Sequence, residues 1–237
     1  MSLKYDFMKS GGIILKNILL RLSEEVKPGI TTKQLEVYLK EMLLEYKVIS
    51  GTKNLNGFPS FICISVNEEL LSGVPSSRVI RKGDIVKLDL TINYKGFYVD
   101  KAVTVLVEPN DYKQKYILKC AQLCLDNALR FCKEGISVSE LGDVIQTTAN
   151  FMKVKVVKDY GGHGVGYAPH MEPFIPNYCN NDGTKLYETY SFTIEPVVVF
   201  DSVTTYKKGM TVMGDPISAH VEETVLLTEN GYEVLTR

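Results

Sequence analysis

The chain has 237 residues, 45% of them hydrophobic, with 27 basic and 28 acidic side chains. This describes an ordinary globular protein with a sizeable core, and a net charge of -1 gives no reason to expect nucleic acid or an acidic membrane as its main partner. The five cysteines are an odd count with no Cys-x-x-Cys pair, which points to reduced thiols in a cytoplasmic protein.

Taken in order, Phe7 to Val26 has helical spacing, with Ile14, Ile18 and Leu22 on one stripe, until Lys27-Pro28-Gly29 stops it. Gly11 to Leu20 is apolar but interrupted by Lys16, so it is not read as a signal peptide, and no run is long enough to span a bilayer. Thr31 with Gln34 predicts a capping box and a helix to about Tyr46. Gly51 to Ser60 reads as loop, Phe61 to Val66 as a short strand and Asn67 to Arg81 as a connection. From Gly83 to Thr104 the pattern is a hairpin turning at Asn93-Tyr94-Lys95-Gly96. Val86, Leu88, Leu90 and Ile92 fall on one face of its first strand; Ile85, Lys87, Asp89 and Thr91 fall on the other. The second strand carries Asp100. Tyr112 to Cys132 reads as a long helix, with Cys120 and Cys124 in its core or on its face. Ser137, capped by Glu140, opens another helix to about Met152. Lys153 to Asp159 reads as a strand, Gly161 to Pro176 as a loop, and Phe192 to Phe200 and Glu222 to Thr228 as strands.

A faint repeat links Lys27-Pro28-Gly29-Ile30-Thr31 to Lys133-Glu134-Gly135-Ile136-Ser137, an offset of 106 residues. The same offset carries Asp89 to Glu195. Two halves, each a helix, a capped helix and acid-bearing strands, would bring acids from both onto one floor.

Five residues stand out as carriers of chemistry. Asp89 and Asp100 lie in apolar β-structure, and a half-buried carboxylate needs a cation nearby. His163 lies in Gly161-Gly162-His163-Gly164-Val165-Gly166, where the glycines leave the imidazole uncovered, and His170 follows in His170-Met171-Glu172-Pro173. Glu195 sits in the apolar Phe192-Thr193-Ile194-Glu195-Pro196. Glu222 and Glu223 are adjacent; the pattern does not choose between them, and expects one to be functional and the other solvated. Four carboxylates and an imidazole form a hard, oxygen-rich set that suits a pair of divalent first-row metals, and such a pair suits hydrolysis. With no thiolate in the set, a structural zinc site is not expected.

Asp89, then Asp100, then Gly162-His163-Gly164-Val165-Gly166, then Phe192-Thr193-Ile194-Glu195-Pro196, then Glu222 before a strand containing Thr224, resembles the methionine aminopeptidase family in its bacterial, type I form. Ser65-Val66-Asn67-Glu68, Gly73-Val74-Pro75 and Ile175-Pro176-Asn177-Tyr178 extend the resemblance, which runs from about Phe7 to the C-terminus. It implies an α+β, pita-bread fold, with two pseudo-symmetric halves around a curved antiparallel sheet, and residues 1–237 as a single metallopeptidase domain. It implies two divalent cations (Co, Mn, Fe or Zn) on Asp89, Asp100, His163, Glu195 and Glu222, with Asp100 bridging. Glu195 would also shuttle the proton, and His170 would bond the scissile amide. The implied partners are N-termini of nascent polypeptides and the ribosome, and the implied state is a monomer.

The chain also departs from the family. Where the family has His before Gly-Ile-Pro, a substrate contact, this chain has Ser72. Aromatic positions of the methionine pocket fall on Leu55, Phe58, Pro169 and Met210, while Cys63 is kept. These changes imply an intact metal centre with slower turnover or a shifted side-chain preference, as in a divergent paralogue. A proline-directed peptidase is disfavoured by the short stretch before Gly83, and a non-catalytic binding protein by the full set of five ligands.

Overall fold

The acidic hairpin forms as its alternation predicts, and the rest of the molecule packs around it. The computed structural model describes residues 3–201, 204–215 and 217–237. The first half runs α1 (Leu3–Glu24), α2 (Thr32–Tyr46), β1 (Ile49–Ser50), β2 (Cys63–Val66), β3 (Glu69–Leu71), β4 (Ile85–Tyr94) and β5 (Phe97–Leu106). The second begins with α3 (Tyr112–Phe131), α4 (Val138–Phe151), β6 (Lys155–Val156), β7 (Gly161–Gly164) and β8 (Met171–Pro176). It continues with β9 (Ser191–Ile194), β10 (Val197–Val199), β11 (Tyr206–Lys208), β12 (Thr211–Met213), β13 (Ser218–His220), β14 (Glu223–Thr228) and β15 (Gly231–Val234). Strand pairing is antiparallel in both halves. No helix among the described residues is long and apolar enough to cross a membrane.

The β4–β5 turn is two residues long. Tyr94 pairs with Phe97, and Lys95 and Gly96 both take positive φ, 51° and 92°. That is the twist a two-residue hairpin loop requires. Period-two alternation then sets the layers. Val86, Leu88, Leu90 and Ile92 enter one core with Leu15, Ile18, Leu22, Leu35 and Leu39 of α1 and α2. A second core joins Ile117, Leu125, Leu141 and Ile145 of α3 and α4 to Phe192, Ile194 and Val198. A one-residue slip of β4 would exchange its two faces and turn Lys87 and Asp89 into the first core, so burial locks the register.

The other face of β4 is buried too. Lys87 is 1% exposed, and its ammonium donates to Asn67 O and Ser218 Oγ, each at 2.8 Å. Burial lowers its pKa to about 7. The bond to Ser218 ties β4 to β13 across the two halves.

Backbone details recur at the 106-residue offset. Both capping boxes close, Thr31 with Gln34 and Ser137 with Glu140. Thr31 bridges to Val79, and Ser137 to Lys185. Lys47 and Lys153, just past α2 and α4, take positive φ of 55° and 54°. Capping boxes alone are common, but the same bridge and the same left-handed residue in both copies make the halves pseudo-symmetric.

Three expectations are corrected. Gly161 to Pro176 is not loop throughout; β7 and β8 form a hairpin with a register shift between His163 and Gly164. Glycine and proline content hid the strands, because the ladder needs close backbone approach here: a Cβ on Gly162 would lie 2.1 Å from Thr193 O. Phe192 to Phe200 is two strands, broken at Glu195-Pro196 because proline cannot donate to the ladder. The connection from Asn67 to Arg81 contains β3, which pairs with β12.

The close contact of α1 with the C-terminus gives a stability test. A Cβ on Gly12 would lie 1.9 Å from Leu235 O, whereas one on Gly183 meets nothing within 4 Å. In urea unfolding, Gly12→Ala is expected to lose about 1–3 kcal/mol by overpacking. Gly183→Ala is expected to stay within about 0.5 kcal/mol of the parent.

Candidate metal centre

Five side chains from five separate stretches converge between the two halves. Asp89 on β4 lies opposite Cys63 of β2 and Ala102 of β5. Asp100 on β5 lies opposite Thr91. Glu222, just before β14, bridges to Ala102, and its N–H donates to Ala102 O at 3.0 Å. His163 comes from β7, and Glu195 from the break between β9 and β10. Ligand atoms of Asp89, Asp100 and Glu222 lie within 4.8 Å of one another, as do those of His163, Glu195 and Glu222 and those of Asp100, His163 and His170. Glu222, Asp100 and His163 each belong to two of these groups. Nothing in the geometry singles out Asp100 as the bridge.

Threonines aim the acids. Thr91 Oγ1 donates to Asp100 Oδ2 at 2.6 Å, and Thr193 Oγ1 donates to Glu195 Oε1 at 3.0 Å. Thr224 Oγ1 accepts from Asp100 N–H and donates to Asp100 O, joining β5 to β14. His163 is oriented from both ends. Its backbone N–H donates to Thr193 Oγ1 at 3.0 Å, and its Nδ1 lies 3.0 Å from Gly164 O. A carbonyl only accepts, so Nδ1 carries the proton, and in the neutral ring Nε2 offers a lone pair. That Nε2 faces Glu195 Oε1 at 3.5 Å and Asp100 Oδ2 at 3.9 Å. A lone pair aimed at carboxylate oxygens is unfavourable until a proton or a cation lies between them.

The electrostatics agree. Burial, then the neighbouring carboxylates, raises the pKa of Asp89 to about 8. Burial is also the main cause for Glu195, raised to about 7, for Asp100, and for Glu222, raised well above the carboxylate range. Glu222 Oε1 is buried without a hydrogen-bond partner. Crowded, desolvated carboxylates and one orphaned oxygen are what a divalent cation relieves, and the oxygen-rich donor set fits such an ion.

Beside the acids lies a cavity of about 260 Å³. Leu55, Phe58, Cys63, Ser72, His170 and Met210 all line it; Pro169 does not. Ser72 has a positive φ of 53°, uncommon for serine. His170 is exposed at the cavity mouth, its ring centroid 4.0 Å from that of His163. Protein packed around the ring, and then the neighbouring imidazole, lowers its pKa to about 4. His170 is therefore neutral at pH 7.

Sequence reasoning went astray on Glu223. It is 5% exposed rather than solvated, paired with Lys101 at 2.5 Å and bonded to Thr236 Oγ1. Its partners lie far off in the chain, so no local pattern signals the burial. The sequence pattern assigns no role to Thr91, Thr193, Tyr160 or His220, yet the two threonines hold acids and Tyr160 lines the cavity. The two-residue spacing of Thr193 from Glu195 is the available clue for that pair; Thr91 reaches Asp100 across the hairpin, which spacing along the chain does not show.

The raised acids predict a pH dependence. Their folded pKa values lie above the ordinary values of 3.8 and 4.5, so the metal-free folded chain retains protons that the unfolded chain releases. Stability contributed by these groups is present at low pH and is lost as pH rises towards about 8 and about 7, respectively. The melting temperature of metal-free protein should fall more between pH 5 and pH 8 than that of Asp89→Asn, whose amide cannot ionise. Added Mn should raise the parent's melting point at pH 8 and leave that of Asp89→Asn nearly unmoved; equal pH slopes for the two proteins would contradict the assignment.

Comparison with known proteins agrees with this geometry. The model of metallopeptidase family M24 matches residues 6–229. A methionine aminopeptidase of Buchnera aphidicola is 36% identical over 234 residues, covering 97% of this chain and 90% of that protein. Methionine aminopeptidase 1 of Bacillus subtilis is 35% identical, covering 97% and 95%. Among solved structures, methionine aminopeptidase from Thermotoga maritima superposes with a TM-score of 0.94 at 32% identity, covering 100% of this chain and 98% of that one. A prolidase from Pyrococcus furiosus, at 23% identity and a TM-score of 0.81, shares the fold alone, with the chain covering 64% of it. The architecture is the pita-bread fold, and a divalent metal centre comes with the family. On sequence, fold and converging acids together, the chain belongs to metallopeptidase family M24.

Proposed function

We propose that the chain is a metal-dependent methionyl aminopeptidase, with residues 1–237 forming one catalytic domain of two related halves. The observation that carries this reading is the convergence of Asp89, Asp100, His163, Glu195 and Glu222 beside a cavity walled by Leu55, Phe58, Cys63 and Met210. Those five side chains would hold two divalent cations, of which Co, Mn, Fe and Zn all suit the donors. When bound, the cations supply Lewis acidity to the scissile carbonyl and acidify water.

The chain's own residues then do the following. The apolar cavity receives the first side chain; a flexible thioether fits such an irregular wall. Glu195 takes a proton from the attacking water and passes it to the leaving amine. Neutral His170 donates an N–H to oxygen as charge develops there. Ser72 at the cavity wall is shorter than an imidazole, which supports slower turnover or a shifted preference. Substrates are the N-termini of newly made proteins, the ribosome being where such ends emerge. The site draws on one chain, which supports a monomer, and five free thiols support a cytoplasmic setting.

Short peptides beginning with Met, Leu or Ala, incubated with protein and added Mn or Co, should lose only their first residue, Met fastest. Glu195→Gln should lower turnover about 100- to 10,000-fold while leaving the fold intact. No stoichiometric metal and no hydrolysis would instead indicate a binding protein. Separately, Ser72→His should raise kcat/KM; an unchanged value would clear Ser72 of slowing the reaction.

A further inference from the structure

His220 lies in the floor of the site, and the mechanism above gives it no task. It ends β13, where it pairs with Val197 of β10, immediately after the Glu195-Pro196 break. Thr104 clamps its backbone from both sides: Thr104 Oγ1 donates to His220 O at 2.6 Å and accepts from His220 N–H at 3.0 Å. The ring is 1% exposed, and both ring nitrogens are buried with no hydrogen-bond partner among the described residues. A buried imidazole must carry at least one N–H, and a buried donor without a protein partner is unfavourable. The Thr104 clamp thus fixes a residue whose ring nitrogens are unsatisfied among the described residues.

Its nearest acid supplies the partner. His220 Nε2 lies 3.7 Å from Glu195 Oε2. The other oxygen, Oε1, accepts from Thr193 and lies 3.5 Å from His163 Nε2. Glu195 thus stands between two imidazoles, one on each oxygen. The remaining gap exceeds a hydrogen bond by less than about 1 Å, which a turn of the carboxylate about its last torsion can close. Among the described residues His220 belongs to none of the clusters whose ligand atoms lie mutually within 4.8 Å; it is placed beside one of the acids, Glu195, rather than in a group of three.

We propose that His220 is a positioning residue for Glu195: its Nε2–H closes on Oε2 and holds the carboxylate in the one orientation that presents Oε1 to the cation beside His163. The proposal rests on the reading of Glu195 as a metal ligand. Metal ligands are commonly held by such a partner, whose removal weakens metal binding about 10- to 100-fold. His220 therefore stores an unmet bond in the metal-free chain and makes that bond when the cation arrives.

The test is a cobalt titration of metal-free protein, followed by calorimetry and by the visible absorption of the bound ion, for the parent, His220→Leu and His220→Gln. Leu removes the donor and roughly keeps the volume; Gln keeps an N–H. Expected is a loss of about 10- to 100-fold in affinity for one cation in His220→Leu, with an altered cobalt spectrum, and substantial recovery of both in His220→Gln. The melting temperature of metal-free His220→Leu should be unchanged or higher, because an unpaired buried donor is gone. Parent-like affinity and spectrum in His220→Leu would overturn the proposal, as would a lower metal-free melting point with affinity intact, which marks a packing role. A parent protein that binds no cobalt would instead sink the metal-ligand reading itself. Should His220→Leu fail to fold, His220→Gln decides alone: parent-like binding supports the proposal, and loss equal to that of Glu195→Gln overturns it.

Discussion

Mutual repulsion among Asp89, Asp100, Glu195 and Glu222 is the constraint on which this molecule turns. Water cannot screen them, since Asp100, Glu195 and Glu222 are each at most 9% exposed. Burial raises the pKa of all four, and Asp89, Asp100 and Glu195 add to the rise in their neighbours. A chain under no functional demand would not keep so unfavourable a cluster, because apolar residues of similar size would pack there at less cost. The cluster holds protons when metal-free and is relieved by divalent charge, which links folding, pH and metal in one place.

The architecture is arranged to bear that strain. Asp89 and Asp100 come from the long hairpin of the first half, and His163, Glu195 and Glu222 come from the second. The same seam carries the bridge from Ala102 to Glu222, the Thr224 hydroxyl bonded to the Asp100 backbone, and the Lys87 ammonium on Ser218. Joining the halves and assembling the site are therefore one event. Placement on paired strands also keeps the acids from swinging apart, which side chains on loops would do under their own repulsion.

Around the acids stands a layer of neutral hydrogen-bonding groups. Thr91 and Thr193 donate to carboxylate oxygens, Gly164 O sets the His163 tautomer, and His220 stands behind Glu195. Such a layer adds no charge to an already crowded site, yet it dictates which oxygen or nitrogen points inward. The Lys101–Glu223 pair lies next to Glu222 but is satisfied on its own terms, with Thr236 taking the second oxygen. Adjacent glutamates in one sequence thus serve different ends, one orphaned in the site and one locked into the fold.

Much of this was legible in one dimension. Alternation from Ile85 to Ile92 set the hairpin and its faces, because a strand's period of two is a local property. The two capping boxes and the turn at Lys95-Gly96 were readable for the same reason: their bonds span only a few residues. The shared offset of Thr31 with Ser137 and Asp89 with Glu195 pointed to two halves, and the order of acids and histidine pointed to the metal set. Tertiary structure alone decided that Gly161 to Pro176 is a hairpin, since its strands exist by pairing with each other and with β9. It alone buried Glu223, whose partners Lys101 and Thr236 are set by folding, and left His220 without a partner beside Glu195. Local chemistry reads along the chain; burial and partnership depend on residues that only the folded chain brings near.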